Sequence, residues 1–551
     1  MKRLPINISN FATMIEGNYV YVDKTKTIYD LLHKESLQFF LSRPRRFGKS
    51  LLISTLKELF TGNKALFKGT WIGKSDYRWK EYPVIHLDFS RLATNTAQEF
   101  EISLSSSLTL IGENLEIDLS REPLANLKLG RLIHELSKKQ KVVFLIDEYD
   151  SPLLRNLGDL EKAQAIQKVM SGFFSAIKSF DGDGKVHAVF ITGITKFSKT
   201  SIFSGMNTLT DLSMSFEAAT LLGYTKEELL FYFDGFIQEF AQHQKVPIAY
   251  IIDQIQTNYN GYCFTKEDRK VYNPYSVLHC LSKKDFDNFW FETGTPSFLI
   301  ELIKKQLNVA ENLEGIELSG DSLGAFDLEN LYIVPILFQT GYLTIQNYEA
   351  SERKYTLGYP NAEVKDAFCK YLIRSVIQSS PQDIDQALFK FKRAVADNDM
   401  ELFCTALKSL LASIPYQLHI HNEAYYHSLL HLLATLIGIQ GQSEVCSSKG
   451  RIDMVISTPQ RILLFEFKFN KPSTFALKQI MQQKYFEKYQ LLNKPITLVG
   501  LSFNIKKKEL VLDWVKDGVF DKEKKLQKKH VPSFTVKTKG FTFNREKANE
   551  R

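Results

Sequence analysis

Short apolar runs alternate with amphipathic segments over residues 37–225. The runs are rich in Phe, Val, Leu and Ile, and they span residues 37–41, 84–87, 142–146 and 188–191. Strands covered by helices on both faces show such largely apolar stretches, because neither face meets water. The pattern therefore predicts an α/β domain over residues 1–225, built on a parallel sheet with helices packed against it.

Beyond residue 225 the pattern becomes helical. The stretch KEELLFYFDGFIQEFAQ is amphipathic, and residues 226–310 are predicted to form a helical lid. Residues 326–360 predict a helix followed by a two-stranded hairpin, as in a winged helix, within a connector at residues 311–410. Winged helices often contact DNA. A packing module that connects two catalytic domains is favoured at least as strongly, because no cluster of Lys and Arg marks this helix.

The rest of the chain is predicted to be helical at first and then mixed. Helical segments begin at residue 361, where Asn361 is a candidate N-cap, and continue to about residue 438. The last of them joins a mixed β/α unit in a predicted domain at residues 411–505. The tail at residues 506–551 is basic, with lysines at 506–508 and again at 524, 525, 528 and 529. Such a tail is usually a solvated charge run, and contact with nucleic acid is the alternative.

The composition is typical of a multidomain globular protein. The chain has 551 residues, of which 44% are hydrophobic and 24% are charged, and one hydrophobic core does not grow to that size. A net charge of +8 favours a polyanionic partner only weakly over such a length. The five cysteines lack CxxC spacing, which argues against a zinc ribbon or a disulfide framework. No apolar stretch has membrane-spanning length, so we expect a cytoplasmic protein with no membrane partner.

A candidate phosphate loop joins the first apolar run to an apolar helix. The sequence LSRPRRFGKS at residues 41–50 is followed by LLISTLKELF. In this context backbone N–H groups cradle the phosphates of ATP, Gly48 shapes the loop, Lys49 contacts the β- and γ-phosphates, and Ser50 binds Mg²⁺. The usual pattern has glycine where this chain has Arg43, so a basic loop that merely closes a strand is the alternative.

Two later strands supply polar groups for the same site. The run KVVFLIDE ends in Asp147, which would hold Mg²⁺ through water, and Glu148, which would polarise the attacking water. The strand AVFITGITKF ends in Thr192 and Thr195, each of which is either a γ-phosphate sensor or a turn hydroxyl. No arginine finger is assigned, although Arg155 and the pair at residues 45–46 are available.

A second constellation lies near the C-terminus. Asp453 ends the segment GRID, and the strand RILLFEFKF carries Glu466 and Lys468 on one face, because side chains alternate along a strand. A hairpin would bring Asp453 beside Glu466. Two carboxylates and a lysine on adjacent strands predict a catalytic site for Mg²⁺ or Mn²⁺, in which the lysine orients and acidifies the attacking water. The alternative is a salt-bridged surface hairpin.

Four further residues are candidates of lower rank at this site. Glu423 lies in a predicted helix and Glu444 on the strand before Asp453, and both would add acid near the metal. Gln479 and Tyr485 belong to the helix FALKQIMQQKYFEKYQ, where a glutamine facing the site would hold a phosphate or a water. Each of the four is more often a surface or capping residue.

The chain also contains the segments YVDKT, RPRRFGKS, FLIDEYDSPL, TGITKFS, YNGYCF, VYNPYS, FETGTPSFLI, GRIDMVI and FEFKF. Together they resemble bacterial AAA-ATPase-like proteins that carry a C-terminal PD-(D/E)XK nuclease domain, over nearly the whole chain up to about residue 505. Arg43 belongs to that family's own pattern. The resemblance implies a P-loop ATPase core of RecA/AAA-like type, a helical lid and a restriction-endonuclease-like α/β domain. It places Asp453, Glu466 and Lys468 in the nuclease motif positions and implies no known substrate.

Three functional hypotheses follow. The first is an ATP-gated nuclease that acts on nucleic acid, with DNA favoured over RNA. The second is a non-cleaving NTP-dependent switch or scaffold that binds nucleic acid or a partner through the nuclease fold, and the third is a nuclease with an inactive ATPase. Intact residues in both motifs favour the first, while assembly into a homo-oligomer stays open.

Overall fold

The structure is a computed structural model whose described residues form two compact units, the first ending at Ala367 and the second beginning at Phe368. The described residues are 2–197, 202, 208–290, 299, 302, 313–324, 328, 331–376, 380–397, 399–412, 440–447, 450–458, 461–469, 471–490, 492–504 and 509–516. The predicted tail beyond residue 516 and the segment that contains Glu423 therefore lie outside the described residues.

The first unit is built on a five-stranded sheet whose neighbouring strands are all parallel. Its strands are β1 (Gln38–Ser42), β2 (Val84–Asp88), β3 (Val142–Asp147), β4 (Val186–Gly193) and β5 (Thr210–Asp211). The order β2-β3-β4-β1-β5 puts β4 between the strand that leads into the phosphate loop and the strand that ends in Asp147. Parallel strands end at one edge, so the loops after β1, β3 and β4 meet there. The predicted α/β class is confirmed.

In the described residues up to Trp290, α-helices surround this sheet or follow it. They are α1 (Phe11–Glu16), α2 (Thr25–Leu32), α3 (Lys49–Phe60), α4 (Ala97–Asn114), α5 (Ala125–Ser137), α6 (Ser151–Leu154), α7 (Leu160–Gly182), α8 (Lys226–Gln244), α9 (Ile248–Tyr259) and α10 (Pro274–Lys283). Short 3-10 helices lie at Lys64–Phe67, Ile72–Lys74, Phe89–Arg91 and Phe216–Ala218.

Local signals explain where the helices of the predicted lid begin. Thr225 and Glu228 form a reciprocal capping box at the start of α8, which satisfies two backbone N–H groups that a helix leaves without partners. Asn273 caps α10, directly before Pro274. Helices α8, α9 and α10 bury a shared apolar cluster that includes Phe233 and Tyr259, so the helical character predicted after residue 225 is confirmed for these elements.

A small three-stranded sheet completes the first unit. Its elements are β6 (Ile316–Ser319), α11 (Gly320–Gly324), α12 (Ile333–Thr340), β7 (Thr344–Glu349) and β8 (Lys354–Gly358). The strands are antiparallel in the order β6-β8-β7. The predicted helix and hairpin are therefore present as α12, β7 and β8, and β6 adds a third strand that the sequence pattern did not predict.

The remaining elements lie around and after residue 367. They are α13 (Ala362–Val376), α14 (Pro381–Asp397), α15 (Met400–Ala412), β9 (Gln440–Ser447), β10 (Gly450–Ser457), β11 (Ile462–Phe469), α16 (Ser473–Gln483), α17 (Glu487–Gln490), β12 (Ile496–Asn504) and β13 (Glu509–Lys516). The predicted N-cap is present, because Asn361 accepts a hydrogen bond of 3.0 Å from the backbone N–H of Val364.

The sheet of the second unit has five strands in the order β13-β12-β11-β10-β9. Strands β11 and β12 are parallel, and α16 connects them; the other pairs are antiparallel. Leu477 and Ile480 of α16 pack in an apolar cluster with Leu464 of β11 and Leu498 of β12. Strand β13 lies beyond the boundary predicted at residue 505, so the sheet continues into what the sequence assigned to the tail.

Candidate nucleotide and metal sites

The phosphate loop connects β1 to α3. Gly48 adopts a left-handed conformation with φ 95° immediately before Lys49, the first residue of α3. Glycine reaches this region of backbone conformation without the steric cost that a Cβ atom imposes. The loop therefore delivers Lys49 and Ser50 at a helix N-terminus, where free backbone N–H groups favour anionic ligands.

Lys49 is almost fully buried, with 4% of its surface exposed. Its ammonium group donates to the carbonyl oxygens of Arg43, at 3.0 Å, and Pro44, at 2.9 Å. Burial lowers the pKa of Lys49, and the nearby charge of Glu148 opposes that shift most strongly. Lys49 is thus bound to its own loop through contacts that phosphate oxygens could replace.

The side chain of Arg43 points into the protein, which explains why arginine can stand in place of the usual glycine. Its guanidinium donates to the carbonyls of Ser42, at 2.9 Å, Ser213, at 2.7 Å, and Ala218, at 2.9 Å. It also lies 4.2 Å from the ring centre of Phe264, a cation–π contact. Burial lowers the pKa of Arg43 to about 9. The side chain anchors the loop instead of occupying the phosphate site.

The acidic side of the site follows β3. The carboxylate of Asp147 accepts hydrogen bonds from the hydroxyl of Thr192 and from the backbone N–H of Glu148. Glu148 has a positive φ of 49°, which is rare for a residue with a side chain. Burial raises the pKa of Glu148, and Lys49 opposes the shift. Thr192 is fully buried and committed to Asp147, and its proposed contact with a γ-phosphate stays a prediction.

Asp150 is a candidate that the sequence reasoning did not single out. It is fully buried, and its Oδ2 atom accepts from the backbone N–H groups of Ile194, at 3.0 Å, and Thr195, at 2.7 Å. The hydroxyl of Thr195 donates to the same oxygen at 2.6 Å. Burial raises the pKa of Asp150. The available signal was the fourth letter of DEYD, an acid three residues after Asp147, but the partners of Asp150 lie more than forty residues away.

Some of these groups line a cleft of about 860 Å³, although Arg43, Asp147 and Thr192 are not among its lining residues. From the loop and the acidic segment it is lined by Arg45, Arg46, Gly48, Lys49, Ser50, Glu148, Asp150 and Arg155. The N-terminal segment and the helical region add apolar walls through Pro5, Ile8, Met14, Tyr224 and Leu278. The guanidinium of Arg155 already donates to the carbonyls of Ser90 and Leu92, so in this conformation it is held by its own fold.

The second site lies where β10 pairs with β11. Met454 is opposite Phe465, so Asp453 and Glu466 occupy neighbouring positions on one face of the sheet. The backbone N–H of Phe467 donates to Asp453 at 2.7 Å, and Lys468 donates to Oε1 of Glu466 at 2.8 Å. The hairpin therefore assembles the predicted Asp, Glu and Lys into one group.

Glu466 has an unusual environment for a carboxylate. Only 1% of it is exposed, and its Oε2 atom has no hydrogen-bond partner among the described residues. Burial, followed by the charge of Asp453, raises the pKa of Glu466 to about 7, and Lys468 opposes the shift. A buried carboxylate oxygen without a partner is costly unless a ligand such as a cation completes it.

Gly500 allows α16 to cover this face closely. It lies opposite Glu466 in the neighbouring strand, and a Cβ atom at this position would come within 2.5 Å of the carbonyl oxygen of Ser473. Gln479 is half-buried on α16. Tyr485 is buried in the apolar cluster beneath the helix, with 3% exposed, where packing accounts for its presence.

The remaining acidic candidates are only partly described. Glu444 lies on β9 at the register position opposite Asp453, between the pairs Val445–Ile452 and Ser443–Met454, and its side chain is outside the description. Within the described part of the chain, no group of three or more His, Cys, Asp or Glu forms a metal-binding cluster. The pair of Asp453 and Glu466 nevertheless fits a divalent cation, because oxygen ligands suit Mg²⁺ and one buried oxygen lacks a partner.

Two family models match regions that contain these sites. A model described as predicted AAA-ATPase matches residues 5–203, and a model of the PD-(D/E)XK nuclease superfamily matches residues 421–513. The second match ends within β13, in agreement with the sheet. Fold and sites thus define a class of protein with an AAA-ATPase-like domain and a C-terminal PD-(D/E)XK domain, and the chain belongs to this family.

One relative is similar to this chain over almost the full length. The chain is 35% identical over 520 residues to a protein of Azotobacter chroococcum mcd 1 described as "Uncharacterized protein in vnfD 5'region". The alignment covers 91% of this chain and 96% of that protein. In the described parts of the chain, none of the helices combines the length and apolarity needed to cross a bilayer.

Proposed function

We propose that this protein is an ATP-gated nuclease that hydrolyses phosphodiester bonds of nucleic acid, with DNA as the favoured substrate, at Asp453, Glu466 and Lys468. The observation that carries the proposal is the unpartnered Oε2 atom of Glu466, buried beside a second carboxylate and a lysine. Salt-bridged surface hairpins do not bury a carboxylate in this way. The intact nucleotide loop on the same chain motivates the gating.

The chemistry assigned to the second site uses each of its three side chains. Asp453 and Glu466 would hold Mg²⁺ or Mn²⁺, which supplies a Lewis acid that acidifies water and neutralises charge on the phosphate. Lys468, held by Glu466 at 2.8 Å, would orient the attacking water and stabilise negative charge as it develops. The backbone N–H of Phe467 fixes the carboxylate of Asp453, so the group is pre-organised.

The nucleotide site is proposed to bind ATP with Mg²⁺. Lys49 would exchange its two carbonyl contacts for phosphate oxygens, and Ser50 and Asp147 would hold the metal. Glu148 would polarise the attacking water. Because the carbonyls released by Lys49 belong to Arg43 and Pro44, nucleotide binding would change the contacts at the start of the loop, a local change suited to a switch.

The proposal is tested with purified full-length protein and labelled single- and double-stranded DNA and RNA, with Mg²⁺ or Mn²⁺, with and without ATP. We expect metal-dependent cleavage that Asp453→Ala abolishes while ATP hydrolysis continues. Lys49→Ala should lower cleavage to the level seen without ATP. If no nucleic acid is cleaved under any condition while ATP is hydrolysed, the protein is instead an NTP-dependent switch or scaffold.

A further inference from the structure

One carboxylate oxygen of Asp150 accepts hydrogen bonds, and the other has no described hydrogen-bond partner. Oδ2 receives all three hydrogen bonds from Ile194 and Thr195. Oδ1 is buried and has no partner among the described residues. Three donors on one oxygen fix the orientation of the carboxylate, so Oδ1 is held in one place as an acceptor.

The place of Oδ1 is the end of β4, between the phosphate loop and Asp147. A Cβ atom on Gly193, the last residue of β4, would lie 2.8 Å from Oδ1 and 2.7 Å from the ring of Tyr149. The absence of a side chain at Gly193 therefore makes room for Asp150. In the sheet order β3-β4-β1, the end of β4 lies between the end of β3, which leads to Glu148, and the end of β1, which leads into the phosphate loop.

Asp150 also shares a cleft with the other reacting groups. Lys49, Ser50, Glu148 and Asp150 all line it. Thr192, the hydroxyl at the end of the same strand, donates to Asp147, and Thr195 donates to Asp150. Both threonines that the sequence offered as phosphate sensors are thus committed to carboxylates, whereas Oδ1 of Asp150 has no described partner.

Resting on the proposed ATPase activity, we propose that Asp150 is a second catalytic carboxylate of the nucleotide site, whose Oδ1 accepts a hydrogen bond from the attacking water. The water oxygen bonds to the γ-phosphorus while the bond from phosphorus to the β,γ-bridging oxygen breaks, and that electron pair leaves on ADP. One water proton passes to Glu148 and later to solvent. The other O–H stays on the new phosphate, oriented by Asp150 until release.

Asp150→Asn is the sharpest variant, because its amide oxygen can still accept from Ile194 and Thr195 while an NH₂ group replaces Oδ1. We expect its Kd for a fluorescent ATP analogue to stay within about threefold of wild type while kcat falls at least about 100-fold, the usual size of such a contribution. Thr195→Val removes only a donor to Oδ2, and it should lower kcat by less than about tenfold.

A kcat of Asp150→Asn within threefold of wild type would overturn the inference, as would equal losses in Asp150→Asn and Thr195→Val, which would make Asp150 a support for the loop. If Asp150→Asn does not fold, Gly193→Ala crowds Oδ1 directly and should lower kcat more than Thr195→Val; the reverse order contradicts the proposal. Wild-type protein that does not bind ATP refutes the proposed function itself, which separates the two failures.

Discussion

The two candidate sites treat buried charge differently. At the nucleotide loop, Lys49 and Arg43 are buried cations, and backbone carbonyls of the same unit accept from both. At the second site, Glu466 and Asp453 are neighbouring acids, and the one described cation hydrogen-bonded to Glu466 is Lys468, which leaves Oε2 without a described partner. Carbonyl groups of the loop accept the hydrogen bonds that Lys49 would donate to a phosphate, whereas no described group takes the place of a cation at Oε2 of Glu466.

This difference separates two designs of ligand-free protein. A loop that satisfies its own lysine can remain folded without nucleotide and then exchange contacts when phosphate arrives. The buried carboxylate of Glu466 raises the energy of the folded state until a cation binds, because burial and the neighbouring charge of Asp453 disfavour its ionised form. We therefore expect divalent metal to stabilise the second unit more than removal of nucleotide destabilises the first.

The largest expected effect is the loss of nucleic-acid cleavage in the variant Glu466→Gln. The amide keeps the size of the side chain but removes the negative charge that would bind the cation, so metal-dependent cleavage should fall at least about 100-fold, as for loss of a group that supports a metal. ATP hydrolysis should be unchanged. Cleavage products resolved on a denaturing gel measure the effect.

Glu487→Gln is the matched control, because Glu487 is a half-exposed glutamate of the same unit, paired with Lys484. It should cleave at the wild-type rate. Retained cleavage in Glu466→Gln would show that the unpartnered oxygen does not mark a metal ligand. The difference in buried charge between the two sites would then not reflect a need for metal at the second site.

The second effect concerns Arg43→Gly, which restores the usual glycine of a phosphate loop. By motif alone this change should improve nucleotide binding. The structure predicts weaker nucleotide binding, because the substitution removes the donors to the carbonyls of Ser213 and Ala218 and makes the backbone of the loop more flexible. We expect roughly tenfold weaker ATP binding, equivalent to about 1.4 kcal/mol, and a lower unfolding temperature.

Titration with a fluorescent ATP analogue measures this change, and Arg91→Gly serves as the control, because Arg91 is largely exposed and pairs only with Asp88 in the described contacts. The affinity of Arg43→Lys for the analogue should lie between those of Arg43→Gly and Arg91→Gly, because lysine keeps the positive charge but lacks the several N–H donors of the guanidinium group. Tighter ATP binding by Arg43→Gly would mean that the anchor is not needed.

Part of this architecture was accessible from sequence because it depends on local patterns. The apolar runs, the GKS triplet and the alternation around Glu466 and Lys468 specify strands, a loop and a shared face through neighbours along the chain. The run ELVLDWVK at Glu509–Lys516 carries a similar strand signal, but the lysines before it favoured a tail. Its pairing with β12 decides that it belongs to the sheet.

The parts that sequence could not predict depend on distant partners. The orientation of Arg43 is set by carbonyls about 170 residues away. The orientation of the Asp150 carboxylate is set by donors to its Oδ2 atom in the loop after β4. Neither contact leaves a periodic signal. The close approach of α16 to the sheet likewise depends on a distant position, because Gly500, opposite Glu466 on the neighbouring strand, leaves no room for a Cβ atom beside Ser473.

The smallest effect is on stability as a function of pH, measured without divalent metal. The pKa of Glu466 is raised in the folded protein from 4.5 to about 7, so between these values the folded state holds a proton that the unfolded state has released. Stability from this group is therefore present at low pH and is lost as pH rises from about 4.5 to 7. Glu466→Gln removes this dependence.

Chemical unfolding of both proteins at pH 5 and pH 8 in EDTA tests this sign. Between these two pH values the free energy of unfolding of wild type should fall by roughly 1–3 kcal/mol more than that of Glu466→Gln. Mg²⁺ at pH 8 should restore the stability of wild type but not that of Glu466→Gln. Glu487→Gln should behave as wild type. If the pH dependence of wild type and Glu466→Gln coincides, Glu466 is not held against its ionised form, and the second site, like the nucleotide loop, satisfies its own charges.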